Sequence, residues 1–201
     1  MSSQEELEAI ASRVISILKT INEYKDARVV IIGGLAVWKY PPDGRTTKDV
    51  DFMVNISNAP RGVKDKLLAL PDSPFIQQAQ LFYYKSTGGS LIQIDITPEG
   101  LSPYMPAAAI KLRDLQPGIV PYISATDLVV FKVYSCGLRA ERTKRRTDAS
   151  DAENLLEQLA SRGPLSLTND QKTAVEKGID DVVAYGGKAK KWWKEMLGLS
   201  A

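Results

Sequence analysis

The 201-residue sequence contains no histidine and a single cysteine, Cys136. The missing histidine removes the commonest general base and metal ligand, so Ser-His-Asp triads, Cys-His pairs and histidine-based zinc sites are excluded. One cysteine cannot form a disulfide within the chain, which is typical of proteins from a reducing compartment. Catalysis by this chain would therefore depend on carboxylates, lysine, arginine, tyrosine or a hard cation such as Mg²⁺.

Long apolar runs are also absent. No stretch approaches the roughly 20 apolar residues that a membrane helix needs, and the acidic N-terminus MSSQEELEAI lacks a signal-peptide core. We therefore expect an intracellular, cytoplasmic protein with no membrane partner. The net charge of +2 does not by itself favour nucleic acid, and 44% hydrophobic residues are typical of a globular protein.

The order of predicted elements indicates an α+β fold. Residues 1–124 should form a small, mixed, mostly antiparallel sheet with flanking helices, and residues 125–201 a C-terminal helical bundle packed on that core. The predicted strands are 28–32, 48–54, 75–85, 90–97 and 119–123, and the predicted helices are 4–24, 35–40, 61–70, 127–139, 148–162, 169–185 and 188–197.

Capping and turn residues set the expected boundaries of these elements. Ser2 or Ser3 should cap the first helix and Thr126 the helix that starts at residue 127. We expect turns at 41–44 and at Gly88-Gly89. The proline-rich segment 98–117 should be irregular, with a short turn of helix near 107–110.

Three aspartates stand out on the predicted strands. Asp49 and Asp51 alternate along one strand and therefore share one of its faces, while Asp95 lies on the polar face of a later strand. Aspartate is disfavoured in strands, and two on one face repel each other unless a cation neutralises them. Mg²⁺ typically binds one or two carboxylates together with phosphate oxygens. The pattern predicts a metal-phosphate site with these three ligands, and a solvated polar strand face is the alternative.

A pair of glycines, Gly33-Gly34, follows the first predicted strand and opens a helix. Such a turn can expose backbone amides that bind phosphate, or it can simply permit a tight change of direction. The pair is not part of a P-loop, because no Gly-Lys-Ser/Thr follows at the required spacing.

These motifs together resemble the nucleotidyltransferase superfamily whose type is DNA polymerase β. The resemblance rests on GG at 33–34, RTTKDVDF at 45–52 and QID at 93–95, which is similar to the family's glycine turn, Asp-x-Asp motif and third carboxylate. Within that superfamily, the sequence looks most like the branch of AbiEii-type toxins and small-molecule nucleotidyltransferases. DLVVFK at 127–132 and RTDASD at 146–151 are similar to the C-terminal motif of the same branch.

The resemblance implies transfer of a nucleoside monophosphate from an NTP such as ATP to an acceptor hydroxyl, with release of pyrophosphate. Asp49 and Asp51 would hold two Mg²⁺ ions, with Mn²⁺ as the alternative metal, and Asp95 would bind the second ion and accept the acceptor's proton. The acceptor is left open between a small molecule and RNA, tRNA included. A catalytically inactive fold that serves as a binding or scaffold module is the alternative function.

Further residues take roles by the same resemblance. Gly33, Gly34 and Thr47 would grip the triphosphate, and Arg45 or Lys48 would add positive charge.

The C-terminal motif leaves alternatives open. Lys132 would contact the phosphates or nucleotide, unless it is a surface lysine on an amphipathic helix. Asp148 would join the site as an auxiliary carboxylate, unless it and Asp151 cap their helix or pair with nearby arginines. The basic run 139–146 is interpreted either as a solvated loop or as an attraction for an anionic acceptor or nucleic acid.

Overall fold

The computed structural model describes residues 3–40 and 45–199, apart from the side chain of Arg162. The turn predicted at 41–44 and the capping role predicted for Ser2 lie outside the described residues. The chain divides into two compact units, Met1–Ile123 and Ser124–Ala201.

A six-stranded sheet with the order β3-β4-β5-β2-β1-β6 forms the centre of the first unit. The β2 and β5 strands run parallel, and all other neighbours are antiparallel. The mixed, mostly antiparallel sheet predicted from the sequence is therefore confirmed. The strands are β1 (Arg28–Ile32), β2 (Asp49–Val54), β3 (Phe75–Gln78), β4 (Leu81–Lys85), β5 (Leu91–Pro98) and β6 (Ile110–Lys111).

One face of this sheet supplies the core of the first unit. Val50 and Phe52 of β2 point into that core, as the alternation of the strand predicts. The helices of the unit are α1 (Gln4–Thr20), α2 (Gly33–Lys39) and α3 (Arg61–Leu68). Ser3 caps α1, because its hydroxyl accepts a hydrogen bond from the amide of Glu6 at 3.1 Å.

Three predictions for the first unit are wrong. The expected strand 75–85 is a hairpin, β3 and β4, which turns at Ala79-Gln80 with Ala79 at φ +53°. No glycine or asparagine marks that turn. Residues 119–123 form a single parallel bridge, Ile31 to Tyr122, and no strand, because Pro121 has no N–H to donate. The turn of helix expected near 107–110 is a single non-helical turn, in which the Ala109 amide donates to the Pro106 carbonyl at 3.0 Å, and residues 112–114 form a 3₁₀ turn after β6.

The second unit contains four α-helices in the part of the chain that the structure describes: α4 (Ala125–Cys136), α5 (Arg142–Leu159), α6 (Asn169–Tyr185) and α7 (Lys190–Met196). Ser124 rather than Thr126 caps α4, since its hydroxyl accepts from the Asp127 amide at 3.0 Å. The α5 helix begins at Arg142, six residues earlier than predicted, so most of the basic run is helical and not a loop. Among the described helices, none combines the length and apolar character required to cross a membrane.

Close packing of α4 against α6 organises this second unit. A Cβ atom added to Gly178 of α6 would lie 2.1 Å from the carbonyl oxygen of Val133 in α4. The two helix backbones therefore touch at a point where only glycine fits. The α4 helix is buried on almost all sides, and its buried residues include the charged Asp127 and Lys132.

Candidate metal centre

Three carboxylates meet on the face of the sheet opposite the core. The parallel register of β2 and β5 places Asp51 directly beside Asp95, and Asp49 beside Gln93. One carboxylate oxygen from each of Asp49, Asp51 and Asp95 lies within 4.8 Å of the others, and all three side chains are partly exposed. The structure thus brings together the three residues that the sequence pattern predicts as metal ligands.

The spacing of these oxygens fits a divalent cation. Oxygens bound to one Mg²⁺ lie about 3 to 4 Å apart, as an octahedron with bonds of about 2.1 Å requires. The three oxygens, all within 4.8 Å of one another, lie close to this spacing. Three carboxylates and no nitrogen or sulfur ligand form a donor set that suits a hard cation.

Each of the three carboxylates accepts a hydrogen bond from an uncharged donor of the same unit. Such bonds fix the orientation of a metal ligand. The donors are the Thr47 hydroxyl to Asp49 Oδ1, the Gly34 amide to Asp51 Oδ2 at 3.3 Å, and Gln93 Nε2 to Asp95 Oδ2 at 2.8 Å.

The glycine pair makes room for this arrangement. Gly33 has a φ of +68°, and a Cβ there would lie 1.9 Å from Asp51 Oδ2. A Cβ on Gly34 would lie 2.6 Å from the hydroxyl of Thr47. Both glycines are needed sterically, because α2 starts against the carboxylates. Their predicted contact with phosphate stays a prediction.

The segment that leads into β2 carries the remaining predicted phosphate contacts. Thr47 is buried, with 7% of its surface exposed, and its hydroxyl is engaged by Asp49. Arg45 and Lys48 are exposed on either side of it. Both cations thus directly precede the carboxylates of β2 in the chain, and their use by a triphosphate stays a prediction.

Gln93 is the residue of the site that the sequence reasoning did not assign. It lies two positions before Asp95 on the same face of β5, opposite Asp49, and it donates to the Asp95 carboxylate. Strand alternation alone places it on that face, so the signal was present in the sequence.

Lys132 lies in the second unit and is not a surface lysine. Only 5% of its surface is exposed, and its ammonium group lies 2.7 Å from Asp148 Oδ1 and 2.8 Å from Asp151 Oδ2. Arg139 Nε donates to the other oxygen of Asp148 at 2.7 Å. This buried ion cluster confirms the predicted arginine pairing of Asp148, which lies inside α5 and not at its start.

The positive charges of Lys132 and Arg139 balance the negative charges of Asp148 and Asp151 in this ion cluster. Burial acts to raise the pKa of the Asp148 carboxyl, but Lys132 and Arg139 outweigh it, so that this pKa is lowered. Because two carboxylates already neutralise the Lys132 ammonium, the cluster offers no uncompensated positive charge to a phosphate. The roles predicted for Lys132 and Asp148 at a nucleotide site stay predictions.

Cys136 is not a nucleophile in this setting. Its side chain is fully buried, and burial, followed by the charge of Asp148, raises the pKa of the thiol to about 11. The thiolate is the reactive form, so the single cysteine stays inert at neutral pH.

Removing one charge from the carboxylate cluster should change stability in opposite ways with and without metal. In EDTA, we expect Asp95→Asn to raise the free energy of unfolding by about 0.5–1 kcal/mol, because the repulsion among the three carboxylates is reduced. The variant should therefore unfold at a higher urea concentration than the wild type. In Mg²⁺ the wild type should gain stability and the variant should gain less. Asp65→Asn, an exposed aspartate of α3, is the control and should respond like the wild type. Equal responses of all three proteins to Mg²⁺ would contradict a metal site.

Lys132→Met should destabilise the second unit by about 3–5 kcal/mol, because it leaves two carboxylates buried without their shared cation. Urea unfolding monitored by tryptophan fluorescence measures this, since two of the three tryptophans of the chain, Trp192 and Trp193, lie in α7 of the second unit. Lys144→Met removes an exposed lysine of α5 and should change stability by less than about 1 kcal/mol. A similar small loss for Lys132→Met would show that the cluster is not what holds α4 and α5 together.

Comparisons with known proteins support the fold. The structure is similar to the crystal structure of an antigenic nucleotidyltransferase-like protein from Paracoccidioides brasiliensis, with 18% sequence identity and a TM-score of 0.55. The similarity covers 93% of this chain and 96% of that chain. No protein-family model matches the sequence, and no curated protein matches it either. The chain therefore has a nucleotidyltransferase-like fold, and three carboxylates are gathered on its sheet.

Proposed function

We propose that this protein is a Mg²⁺-dependent nucleotidyltransferase, which moves a nucleoside monophosphate from an NTP to an acceptor hydroxyl and releases pyrophosphate. The observation that carries the proposal is the cluster of Asp49, Asp51 and Asp95, with one oxygen of each within 4.8 Å of the others, on a nucleotidyltransferase-like fold. A solvated polar strand face would not need three carboxylates at this distance, each held by its own donor.

Asp49 and Asp51 are the proposed ligands of the metal that also binds the nucleotide, and Asp95 is the third proposed metal ligand. When bound, Mg²⁺, or Mn²⁺ in its place, supplies positive charge that neutralises the phosphates and the developing charge on the acceptor oxygen. The contribution of the chain is to hold the three carboxylates in place through Thr47, the Gly34 amide and Gln93.

The proposed reaction is an in-line displacement. A bond forms between the acceptor oxygen and the α-phosphorus, while the bond from the α-phosphorus to the oxygen that bridges it to the β-phosphate breaks. Pyrophosphate leaves with that electron pair. The proton of the acceptor hydroxyl passes to the carboxylate of Asp95, whose other oxygen is oriented by Gln93.

Arg45 and Lys48 are the proposed source of positive charge for the triphosphate, because both are exposed beside the carboxylates on the segment that enters β2. Gly33, Gly34 and Thr47 serve the carboxylates first, and we propose their phosphate contacts only as an addition to that role. The buried ion cluster of Lys132 is not part of the proposed chemistry.

The motifs quoted from the sequence favour the toxin-like and small-molecule branch of the superfamily, and we propose this assignment on them alone. The acceptor on this proposal is a small molecule or an RNA, and the nucleotide is ATP or another NTP.

Calorimetric titration with ATP, GTP, CTP and UTP should show binding of at least one nucleotide in Mg²⁺ and a large loss of that binding in EDTA. Asp49→Asn and Asp51→Asn should each weaken Mg²⁺-dependent binding by at least tenfold and leave the thermal unfolding temperature close to that of the wild type, because they remove a metal ligand and not a core contact. Asp65→Asn is again the matched control and should bind as the wild type does.

The absence of Mg²⁺-dependent binding of all four nucleotides to the folded wild type would overturn the proposal. Binding that is unaffected by Asp49→Asn and Asp51→Asn would also count against it, since the nucleotide would then lie elsewhere.

A further inference from the structure

The face of the sheet that carries the carboxylates continues past them. The strand order places β4 and β3 beyond β5, on the side away from β1. Leu81 and Tyr83 of β4 lie on this continuation together with Leu91 and Gln93 of β5, and we call these four residues the open strip. Ile76, Gln78 and Lys85 border it.

The register ties the open strip to the carboxylates. Tyr83 is paired with Gln93 across β4 and β5, and Gln93 is paired with Asp49 across β5 and β2. Paired residues on neighbouring strands point to the same face, so these three side chains form one row. Two strand spacings separate Tyr83 from Asp49, which is about 10 Å between their Cα atoms. Of the three carboxylates, Asp95 is the closest to this strip, because it lies on β5 whereas Asp49 and Asp51 lie on β2.

The two faces of these strands differ sharply in burial. On the core face, Phe82, Tyr84 and Ile92 are buried. On the open strip, Leu81 is 44% and Leu91 40% exposed, and Tyr83 is half-buried between strands. Among the described residues, none makes a hydrogen bond with the Tyr83 hydroxyl. Large apolar side chains and an aromatic ring are thus left open beside a polar site, which is the usual composition of a ligand surface.

The charge of the strip limits what it can hold. Among the described residues of the strip and its border, Lys85 is the one that carries a charge at neutral pH. A polyanion would meet a single cation there, and a polycation would find no carboxylate besides the metal ligands. A neutral compound with a flat or apolar ring fits the leucines and the tyrosine face.

We propose that the open strip binds the acceptor, a neutral alcohol whose ring lies on Tyr83 while its hydroxyl reaches Asp95. This inference rests on the nucleotidyltransferase function proposed above and adds the class of acceptor to it. The position of Asp95 is the reason for assigning the acceptor, and not the nucleotide, to the open strip. It is the carboxylate on the strand adjoining β4, whereas Arg45 and Lys48, the proposed triphosphate contacts, precede β2.

The test uses adenosine as a neutral ring alcohol and ribose as an alcohol without a ring. The folded protein is first saturated with Mg²⁺ and α,β-methylene-ATP, so that adenosine cannot occupy the nucleotide site. Saturation-transfer NMR and calorimetry then measure binding of each probe. We expect adenosine to bind measurably and ribose not to bind.

Variants of the open strip should separate acceptor binding from nucleotide binding. Tyr83→Ala should weaken adenosine binding about tenfold or more, Tyr83→Phe should retain it, and Leu91→Gln, at an exposed position, should weaken it without a folding defect. Affinity for α,β-methylene-ATP should change less than twofold in all three. Leu101→Ala removes an exposed leucine outside the strip and is the matched control.

The outcomes are distinguishable. If the nucleotide binds but adenosine does not, or if adenosine binds equally well to Tyr83→Ala, this inference is wrong and the proposed function stands. If Tyr83→Ala weakens the nucleotide instead of adenosine, the strip holds the base of the NTP and the inference is also wrong. If the wild type binds no nucleotide in Mg²⁺, the proposed function fails and the inference with it.

Discussion

The parallel pairing of β2 with β5 puts like charges side by side, and much of the first unit can be understood from that constraint. Asp51 and Asp95 are direct partners in the ladder, and Asp49 lies two residues away on the same face. One oxygen of each carboxylate lies within 4.8 Å of the others, so the three negative charges repel one another, although solvent weakens the repulsion at these partly exposed positions. A fold that keeps such a cluster loses stability unless a cation offsets the repulsion, and this is why the cluster points to function.

The residues around the three carboxylates fix the positions of these side chains. Thr47, the Gly34 amide and Gln93 each donate to one carboxylate, and the positive φ of Gly33 lets α2 begin against Asp51. The second unit handles buried charge differently. There, Lys132 and Arg139 neutralise Asp148 and Asp151 internally, so that cluster is suited to holding helices together. One chain thus contains an acidic cluster on a partly exposed sheet face and a buried cluster in which lysine and arginine pair with the carboxylates.

Local pattern was sufficient to predict much of this from the sequence. Alternation placed the three aspartates on polar strand faces, and β1 and the β4–β5 turn followed from β-branched residues and glycines. The parallel pairing that unites Asp51 with Asp95 could not be derived, because alternation carries no information on the register between strands whose paired residues lie 44 positions apart in the sequence. The turn at Ala79-Gln80 lacks a turn signal. Neither interpretation of Lys132, as a phosphate contact or as a surface lysine, included its burial, because a lysine is seldom buried and its partners come from another helix.

The central claim is that the three carboxylates hold a metal together with a nucleotide, and anomalous diffraction tests it most directly. Crystals grown with Mn²⁺ and α,β-methylene-ATP should show an anomalous peak at about 2.1–2.2 Å from oxygens of Asp49 and Asp51, with a phosphate oxygen of the nucleotide bound to the same ion. A nucleotide bound at another place, or Mn²⁺ found only away from Asp49, Asp51 and Asp95 while the nucleotide is present, would contradict the account.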